Sequence, residues 1–416
     1  MIPTVNAKTE TNVKLPFSFI FYSLAAFIVS QILLLANSDL IVQGIFRVPV
    51  IWAAAHLLLL GWAVMVTMGA MYQLIPVVFL TPIWNERFGF VQFAVTAAGI
   101  TSFAAALALY PAAIVWTGTL TLIGILMFLF QMVMTIKSQP KWDILHLFIA
   151  TALAFLFAAI GMGIMLAVNL QSGVGWVNHE ALLKTHILFG INGWFTLLIF
   201  GFSYKMVPMF SLSHGFTMKW SKYVYSFYMA GLAVLTASYF LSSKSLMQAG
   251  AVLLLAGFSF FLYHIKEIIG KRIKKKLDKP FMFSLAAAVF GWLVHAAGTI
   301  AVFTPDVTPV MYAILIYLYI MGWIIFSILG YLYKIVPFLW WTHRYSGEMG
   351  KAGVPALKDL INEKAGVIIF IALAIALAGI SGSILFTQKL SFLVFQTLFG
   401  AAVLAYSGTV ASIVKK

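Results

Sequence analysis

A five-residue pattern occurs three times in this chain, each time within an apolar stretch long enough to cross a bilayer. In the pattern, Gly-Trp is followed by glycine, tyrosine and proline 8, 11 and 15 residues after the first glycine. The copies are Gly61, Trp62, Gly69, Tyr72 and Pro76; Gly193, Trp194, Gly201, Tyr204 and Pro208; and Gly322, Trp323, Gly330, Tyr333 and Pro337. The first glycines are 132 and 129 residues apart. This regularity predicts a threefold internal repeat.

Apolar stretches recur along the whole chain of 416 residues, which is 63% hydrophobic and only 9% charged. Because soluble domains do not have this composition, we predict an all-α polytopic membrane protein. Twelve transmembrane helices are predicted, at about 16–36, 49–80, 88–110, 112–136, 143–169, 180–208, 220–242, 245–268, 280–303, 309–340, 365–387 and 390–412. The first helix is predicted to be retained rather than cleaved as a signal peptide.

The repeated pattern lies on predicted helices 2, 6 and 10, so the repeat unit is four helices. Residues 1–416 are predicted to form a single membrane domain of three pseudo-threefold repeats, at about 1–136, 137–268 and 269–416. The glycines would let a neighbouring helix or a flat ligand approach closely, and the proline would stop or bend the helix near one membrane surface. Residues 341–364 are predicted to be an ordered surface loop.

The basic residues are concentrated on one side of the predicted bundle. If the N-terminus is cytoplasmic, 22 of the 26 lysines and arginines lie on or near the cytoplasmic side. The exceptions are Arg47, Lys184, Lys244 and Lys389. This bias predicts a plasma-membrane protein with both termini cytoplasmic, and it explains the net charge of +15 without a nucleic-acid partner. The densest basic patch, residues 266–279, favours anionic lipids of the bilayer as partners.

Three of the eight histidines are predicted to lie inside the membrane: His56 on helix 2, His186 on helix 6 and His295 on helix 9. Each is about seven or eight residues from the outer boundary, which is roughly 10 Å deep. An ionisable group inside a bilayer is costly and usually marks a site, and histidine is the commonest metal ligand. These three histidines are therefore the candidate metal ligands.

His56 and His186 occupy different positions in the repeat. His56 precedes Gly61 by five residues, whereas His186 precedes Gly193 by seven. A difference of two residues is a rotation of about 200° around an α-helix. The two histidines are therefore predicted to face different clefts and not to be equivalent ligands of one site.

The twelve helices, the four-helix repeat and the histidines on helices 2 and 6 resemble subunit I of the haem-copper oxidase superfamily, which includes cytochrome oxidases and bacterial nitric oxide reductases. The repeated pattern is most similar to the tenth helix of the C-type oxidases, where a His-x-His pair precedes Gly-Trp at the offsets of His186 and His56. The resemblance covers the architecture of the whole chain and the motifs of three helices. It implies a haem-binding protein of electron transfer or of oxygen or nitric oxide chemistry.

The resemblance implies that His56 is the axial ligand of a haem and that His186 belongs to a second metal or haem site. Without cysteine, the haem would be a non-covalently held b-type haem. Helices 7 and 10 lack the histidines that would complete a haem–copper pair, so copper and enzymatic activity are left open. The remaining candidate cofactor-binding residues are Tyr317 and Tyr319 of helix 10, and the nearest other imidazole is His295.

Two other functions are consistent with the sequence. A non-catalytic relative could sense, handle or deliver haem or copper, or support a respiratory complex together with other subunits and a quinol or cytochrome donor. A transporter could use the bundle as a pathway, with Lys205 and Lys334 as charges inside the membrane. Both lysines are near cytoplasmic helix ends, however, where snorkelling explains them.

Overall fold

A computed structural model describes residues 11–137, 142–173, 178–349, 351 and 353–415. The predicted all-α multi-pass membrane fold is confirmed, and no β-strand occurs among these residues. Twelve helices in this part of the chain are long and apolar enough to cross a membrane. They are α1 Lys14–Ala36, α2 Pro49–Phe79, α3 Glu86–Leu109, α4 Pro111–Ile136, α5 Ile144–Ser172, α6 His179–Ser211, α7 Lys219–Leu241, α8 Lys244–Gly270, α9 Lys279–Phe303, α10 Pro309–Glu348, α11 Glu363–Leu385 and α12 Lys389–Lys415.

Two short helices, Ser38–Val42 and Leu357–Leu360, lie in connecting segments. Residues 1–10 and Lys416, to which the prediction of cytoplasmic termini refers, lie outside the described residues.

The three helices that carry the repeated pattern share an irregular backbone. Each is α-helical at its start and at its end, with a π-helical segment between the two α-helical parts. These segments are Leu57–Val64 in α2, Phe189–Thr196 in α6 and Tyr319–Ile325 in α10. Each contains the Gly-Trp pair of its copy, and such segments are frequent at functional sites. The sequence repeat therefore extends to the local backbone, while superposition of the whole repeats stays a prediction.

The first glycine of each copy brings its helix against the preceding one. A Cβ atom at Gly61 or Gly193 would lie 2.8 Å or 2.5 Å from the nearest side-chain atom of that helix, and one at Gly322 would overlap it. The residues contacted are Ala26 on α1, Phe155 on α5 and Phe290 on α9. The sequence allowed either a neighbouring helix or a flat ligand to approach these glycines, and in the structure a neighbouring helix does so.

The ends of the repeated helices differ among the copies. In α2 and α6 the helix ends three residues after the proline, and the next residue, Leu80 or Leu212, has a left-handed backbone with φ 51° or 54°. In α10 the helix instead continues beyond Pro337 to Glu348. The prediction of a loop over 341–364 is therefore wrong for residues 341–348.

The chain divides into two compact units. The first contains α1–α4, α11, α12 and the part of α10 from Ile328 onward; in its core, Trp62 stacks on Phe27 with ring centroids 4.7 Å apart. The second contains α5–α8, α9 from Met282 onward and α10 up to Ser327. The candidate site described below is formed within the second unit.

Candidate functional site

The three histidines predicted to lie inside the membrane share one hydrogen-bonding arrangement, in which Nδ1 contacts a main-chain carbonyl. The acceptors are Trp52 for His56 at 2.7 Å, Ala159 for His186 at 2.8 Å and Gly291 for His295 at 2.8 Å. Because a carbonyl only accepts, Nδ1 carries the proton of each neutral ring and Nε2 carries the lone pair. Metal-binding histidines are anchored in the same way.

His56 and His186 lie against different helices. His56 is half-buried on α2, and its ring is perpendicular to that of Phe103 on α3, with centroids 5.2 Å apart. His186 is half-buried on α6 and donates to Ala159 of α5, where a Cβ at Gly163 would be 3.1 Å from its Cε1. His56 thus contacts the helix that follows its own, whereas His186 contacts the helix that precedes its own.

His295 is the most deeply buried of the three, with 9% of its surface exposed on α9. The hydroxyl of Tyr228, on α7, donates to Nε2 of His295 over 3.2 Å. The rings of Phe258 and Tyr319 lie 4.5 and 5.0 Å from the imidazole, centroid to centroid. Two predicted candidates, His295 and Tyr319, therefore come together beside Tyr228.

Six side chains from four helices form one hydrogen-bonded cluster, the polar core: Asn192 and Thr196 of α6, Tyr228 of α7, His295 of α9, and Tyr319 and Trp323 of α10. The Asn192 amide donates to the hydroxyls of Tyr228 at 2.9 Å and Tyr319 at 3.0 Å. These two hydroxyls are 3.1 Å apart, and that of Tyr319 is 2.6 Å from Thr196 Oγ1. The Trp323 indole donates to Thr196 over 3.2 Å.

Every polar side-chain hydrogen of the polar core has an acceptor. Tyr228 donates to His295, and Thr196 donates to the carbonyl of Ile191 at 3.0 Å. Tyr319 can then donate to Thr196, whose oxygen also accepts from the indole. A buried network with all its donors satisfied rigidifies the packing around it. The polar core therefore links α6, α7, α9 and α10 in one fixed arrangement.

The π-helical segments supply four of the six residues of the polar core. Two members belong to Phe189–Thr196 and two to Tyr319–Ile325. The hydrogen bond from the Thr196 side chain to the Ile191 carbonyl spans five residues, which is the spacing of a π turn. The irregular turns that accompany Gly-Trp are thus the segments from which polar side chains enter this core.

Aromatic rings surround the polar core. Phe200 and Phe261 stack with centroids 4.1 Å apart, and Phe258 lies 5.1 Å from Trp323. The side chains of Phe200 and Phe258 are fully buried. In such an apolar environment hydrogen bonds are strengthened, and a polar group that loses its partner is costly.

The other predicted site residues are not members of the polar core. Tyr317 is half-buried on α10, and His56 and His186 have the separate contacts described above. Within the described residues, no three histidine, aspartate or glutamate side chains lie close enough together to hold a metal ion. His186 and His295, which both lie in the second unit, are therefore not members of such a cluster.

The resemblance would place a haem–copper pair among helices 6, 7 and 10, where this chain has the polar core. The residues present do not fit that pair. These helices contribute an amide, an aliphatic hydroxyl, an indole and two phenols, whereas copper favours imidazole and sulfur ligands. The one imidazole of the polar core is that of His295 on α9, and it already accepts a hydrogen bond from Tyr228.

Sequence reasoning missed Asn192, Thr196 and Tyr228. The signal available was that they are polar side chains in the interior of apolar spans, where such residues are costly unless they have partners. Asn192 also stands out within the repeat, because Leu60 and Met321 occupy its position in the other two copies.

No protein-family model matches the chain, and no curated protein is significantly similar to it in sequence.

Proposed function

We propose that this chain is a haem-binding integral membrane protein, related in architecture to subunit I of the haem-copper oxidases, that works in electron transfer rather than oxygen reduction. The observation that carries the proposal is the state of His56. It is a half-buried imidazole within the apolar helix α2, and its Nδ1 donates to Trp52 at 2.7 Å. In that tautomer Nε2 carries the lone pair, and His56 would hold a b-type haem through this atom; the haem would supply one-electron exchange.

Oxygen reduction is left out of the proposal because of the polar core. A haem–copper centre needs several imidazoles at one place, but the helices concerned carry hydrogen-bonded phenol, amide and hydroxyl groups. Diatomic-gas binding without turnover, or haem handling, is compatible with the same residues. For His186, a second haem is preferred to copper, because no set of three histidine or carboxylate ligands occurs in the described part of the chain.

Electron transfer requires partners, and we propose a quinol or cytochrome donor and neighbouring respiratory subunits in the plasma membrane. The proposed orientation has both termini cytoplasmic. It is supported by the distribution of lysine and arginine, because only Arg47, Lys184, Lys244 and Lys389 of the 26 fall in segments proposed to face outward.

Visible spectroscopy of the purified chain tests the haem proposal. We expect a Soret band and reduced α and β bands in the wild type, and loss or displacement of these bands in His56→Ala. His56→Gly with added imidazole should recover part of the spectrum, because the free base would replace the missing side chain as the ligand. The matched control is His343→Ala, at the end of α10, which should leave the bands unchanged.

Thermal unfolding of each variant separates a lost ligand from a lost fold. The proposal is contradicted by a colourless wild type supplied with haem, or by an unchanged spectrum in a folded His56→Ala variant. Stoichiometric copper with rapid oxygen consumption by the chain alone would contradict the exclusion of oxygen reduction. Release of haem to an apo-acceptor faster than electron exchange with a quinol would favour haem handling over electron transfer.

A further inference from the structure

Helices α7 and α8 form a closely packed antiparallel hairpin in the second unit. Gly257 lies against Tyr228, and Gly250 lies against Leu235; a Cβ atom at either glycine would be 2.8 Å from a main-chain nitrogen of α7. Seven residues forward along α7 thus correspond to seven residues back along α8. Contacts this close fix the register of the two helices, because neither backbone can slide without a clash.

The same register brings basic residues together at one end of the hairpin. If this register is continued to the start of α7 and the end of α8, Lys219 lies level with Lys266, and Lys222 lies level with Tyr263. The Lys219 ammonium also lies 5.1 Å from the ring centroid of Trp220. We call this end, defined by Lys219, Lys222 and Lys266, the basic end of the hairpin.

An aromatic patch adjoins the basic end. Its rings are Trp220, Tyr223, Phe227, Phe260 and Tyr263. Trp220 lies 5.1 Å from Tyr263, 5.7 Å from Tyr223 and 5.9 Å from Phe260, centroid to centroid. Tyr223 and Tyr263 are 51% and 53% exposed. Partly exposed tyrosine and tryptophan at the end of an apolar span are typical of the membrane–water interface.

The three lysines of the basic end are exposed and have no ion pair with any described residue. Two lysines of the neighbouring loop are held by the protein itself. Lys271 donates to a loop carbonyl at 2.7 Å, and Lys274 pairs with an aspartate at 2.8 Å. The exposed charge at this end therefore comes from Lys219, Lys222 and Lys266, together with Lys275 and Lys276 of the loop, whereas the neighbouring Glu267 carboxylate accepts a hydrogen bond from the Trp220 indole at 3.1 Å.

We propose that the basic end of the α7–α8 hairpin is a binding site for the headgroup of an acidic phospholipid. The phosphate would be held by Lys219, Lys222 and Lys266, and the acyl chains would lie along the rings of Phe227 and Phe260. Charge complementarity selects the headgroup, and the aromatic patch sets its depth. The closely packed hairpin keeps the two sides of the site in register. The inference is independent of haem binding.

Native mass spectrometry of the full chain in a neutral detergent tests this site. The probe is phosphatidylglycerol, titrated in competition with phosphatidylcholine. We expect preferential retention of phosphatidylglycerol by the wild type. Its apparent affinity should weaken about tenfold or more in the variant with Lys219→Gln, Lys222→Gln and Lys266→Gln, because each lysine near a lipid surface contributes several-fold.

The matched control carries Lys351→Gln, Lys358→Gln and Lys364→Gln, which remove the same charge from exposed positions near the end of α10 and the start of α11. It should retain the wild-type preference. Equal loss in both variants would show a general charge effect and overturn the site, as would wild-type affinity in the first variant. Binding of glycerol 3-phosphate as tightly as of the lipid would also overturn it, by showing an anion site without a role for the acyl chains. Thermal unfolding in lipid-free detergent confirms that both variants are folded.

Discussion

Replacing Tyr228 with phenylalanine removes one hydroxyl from the middle of the polar core and leaves the ring in place. That hydroxyl donates to His295 at 3.2 Å and accepts from Asn192 at 2.9 Å, and it lies 3.1 Å from the Tyr319 hydroxyl. Side-chain hydrogen bonds between transmembrane helices contribute about 0.6 kcal/mol each on average and about 1.7 kcal/mol at most. For the two hydrogen bonds lost, we therefore expect Tyr228→Phe to lower the free energy of unfolding by about 1–3 kcal/mol, with the fold retained.

A double-mutant cycle with His295→Leu isolates the Tyr228–His295 bond. Each single variant leaves a buried polar group without one of its partners, whereas the double variant removes both partners of the bond. The double variant should therefore cost less than the sum of the single variants, by about 0.6–1.7 kcal/mol. The measurement is reversible denaturant unfolding in mixed micelles at pH 7, followed by circular dichroism.

Tyr223→Phe is the matched control, since Tyr223 lies on the same helix but is 51% exposed. It should change the free energy of unfolding by no more than about 0.5 kcal/mol. Strict additivity in the cycle, or a Tyr228→Phe variant as stable as the control, would refute the claim that the polar core holds these helices together.

Two further predictions concern packing and helix capping. Gly193→Ala would put a Cβ 2.5 Å from the ring of Phe155 and should lower the free energy of unfolding by about 1–3 kcal/mol. The control is Gly190→Ala, where no atom lies within 4 Å of the added Cβ, and it should be neutral or stabilise by up to about 1 kcal/mol. Equal shifts of the thermal unfolding midpoint in the two variants would contradict the packing argument. Asp143 caps α5. Its partial burial raises the pKa of the carboxyl, but hydrogen bonds from the side chain and main chain of His146 outweigh this and leave the pKa below its usual value. The ionised carboxylate thus stabilises the folded state at neutral pH, and this stabilisation is lost as the pH falls through the folded-state pKa. Asp143→Ala should lower the free energy of unfolding by about 1 kcal/mol at pH 7. In Asp143→Asn, which retains a capping oxygen, the thermal unfolding midpoint should depend less on pH between pH 7 and pH 3.

The spans could be predicted because their determinant is physical and local. A segment that crosses a bilayer must be apolar for about 20 residues, whatever its neighbours are. The end of α10 could not be predicted in the same way. Residues 341–348 contain serine, glycine and charged side chains, which suggest a loop, yet they are helical in the structure. A tertiary contact assists there, since the Trp341 indole donates to the Pro355 carbonyl at 2.8 Å.

The polar core was only partly predictable, for a reason that lies in helix packing. His295 and Tyr319 could be selected because they are polar side chains within apolar spans. Their partners Asn192 and Tyr228 are on other helices, and no sequence spacing relates those positions. The π-helical segments add a second obstacle, because a rotation of 100° per residue no longer describes which way a side chain points.

The three copies of the repeated pattern share their packing and differ in their chemistry. The space beside Gly61, Gly193 and Gly322 is occupied by neighbouring helices, so these glycines do not indicate a bound ligand. The polar core instead depends on the residues one before and three after this glycine, which are Asn192 and Thr196 in the second copy, Leu60 and Val64 in the first, and Met321 and Ile325 in the third. The tryptophans show the consequence. The Trp323 indole reaches an acceptor because Thr196 supplies one, whereas those of Trp62 and Trp194 are buried with no partner among the described residues. Function in this chain therefore has to be sought where the copies differ, and His56, which has Leu188 and Tyr317 at the equivalent positions, is such a difference.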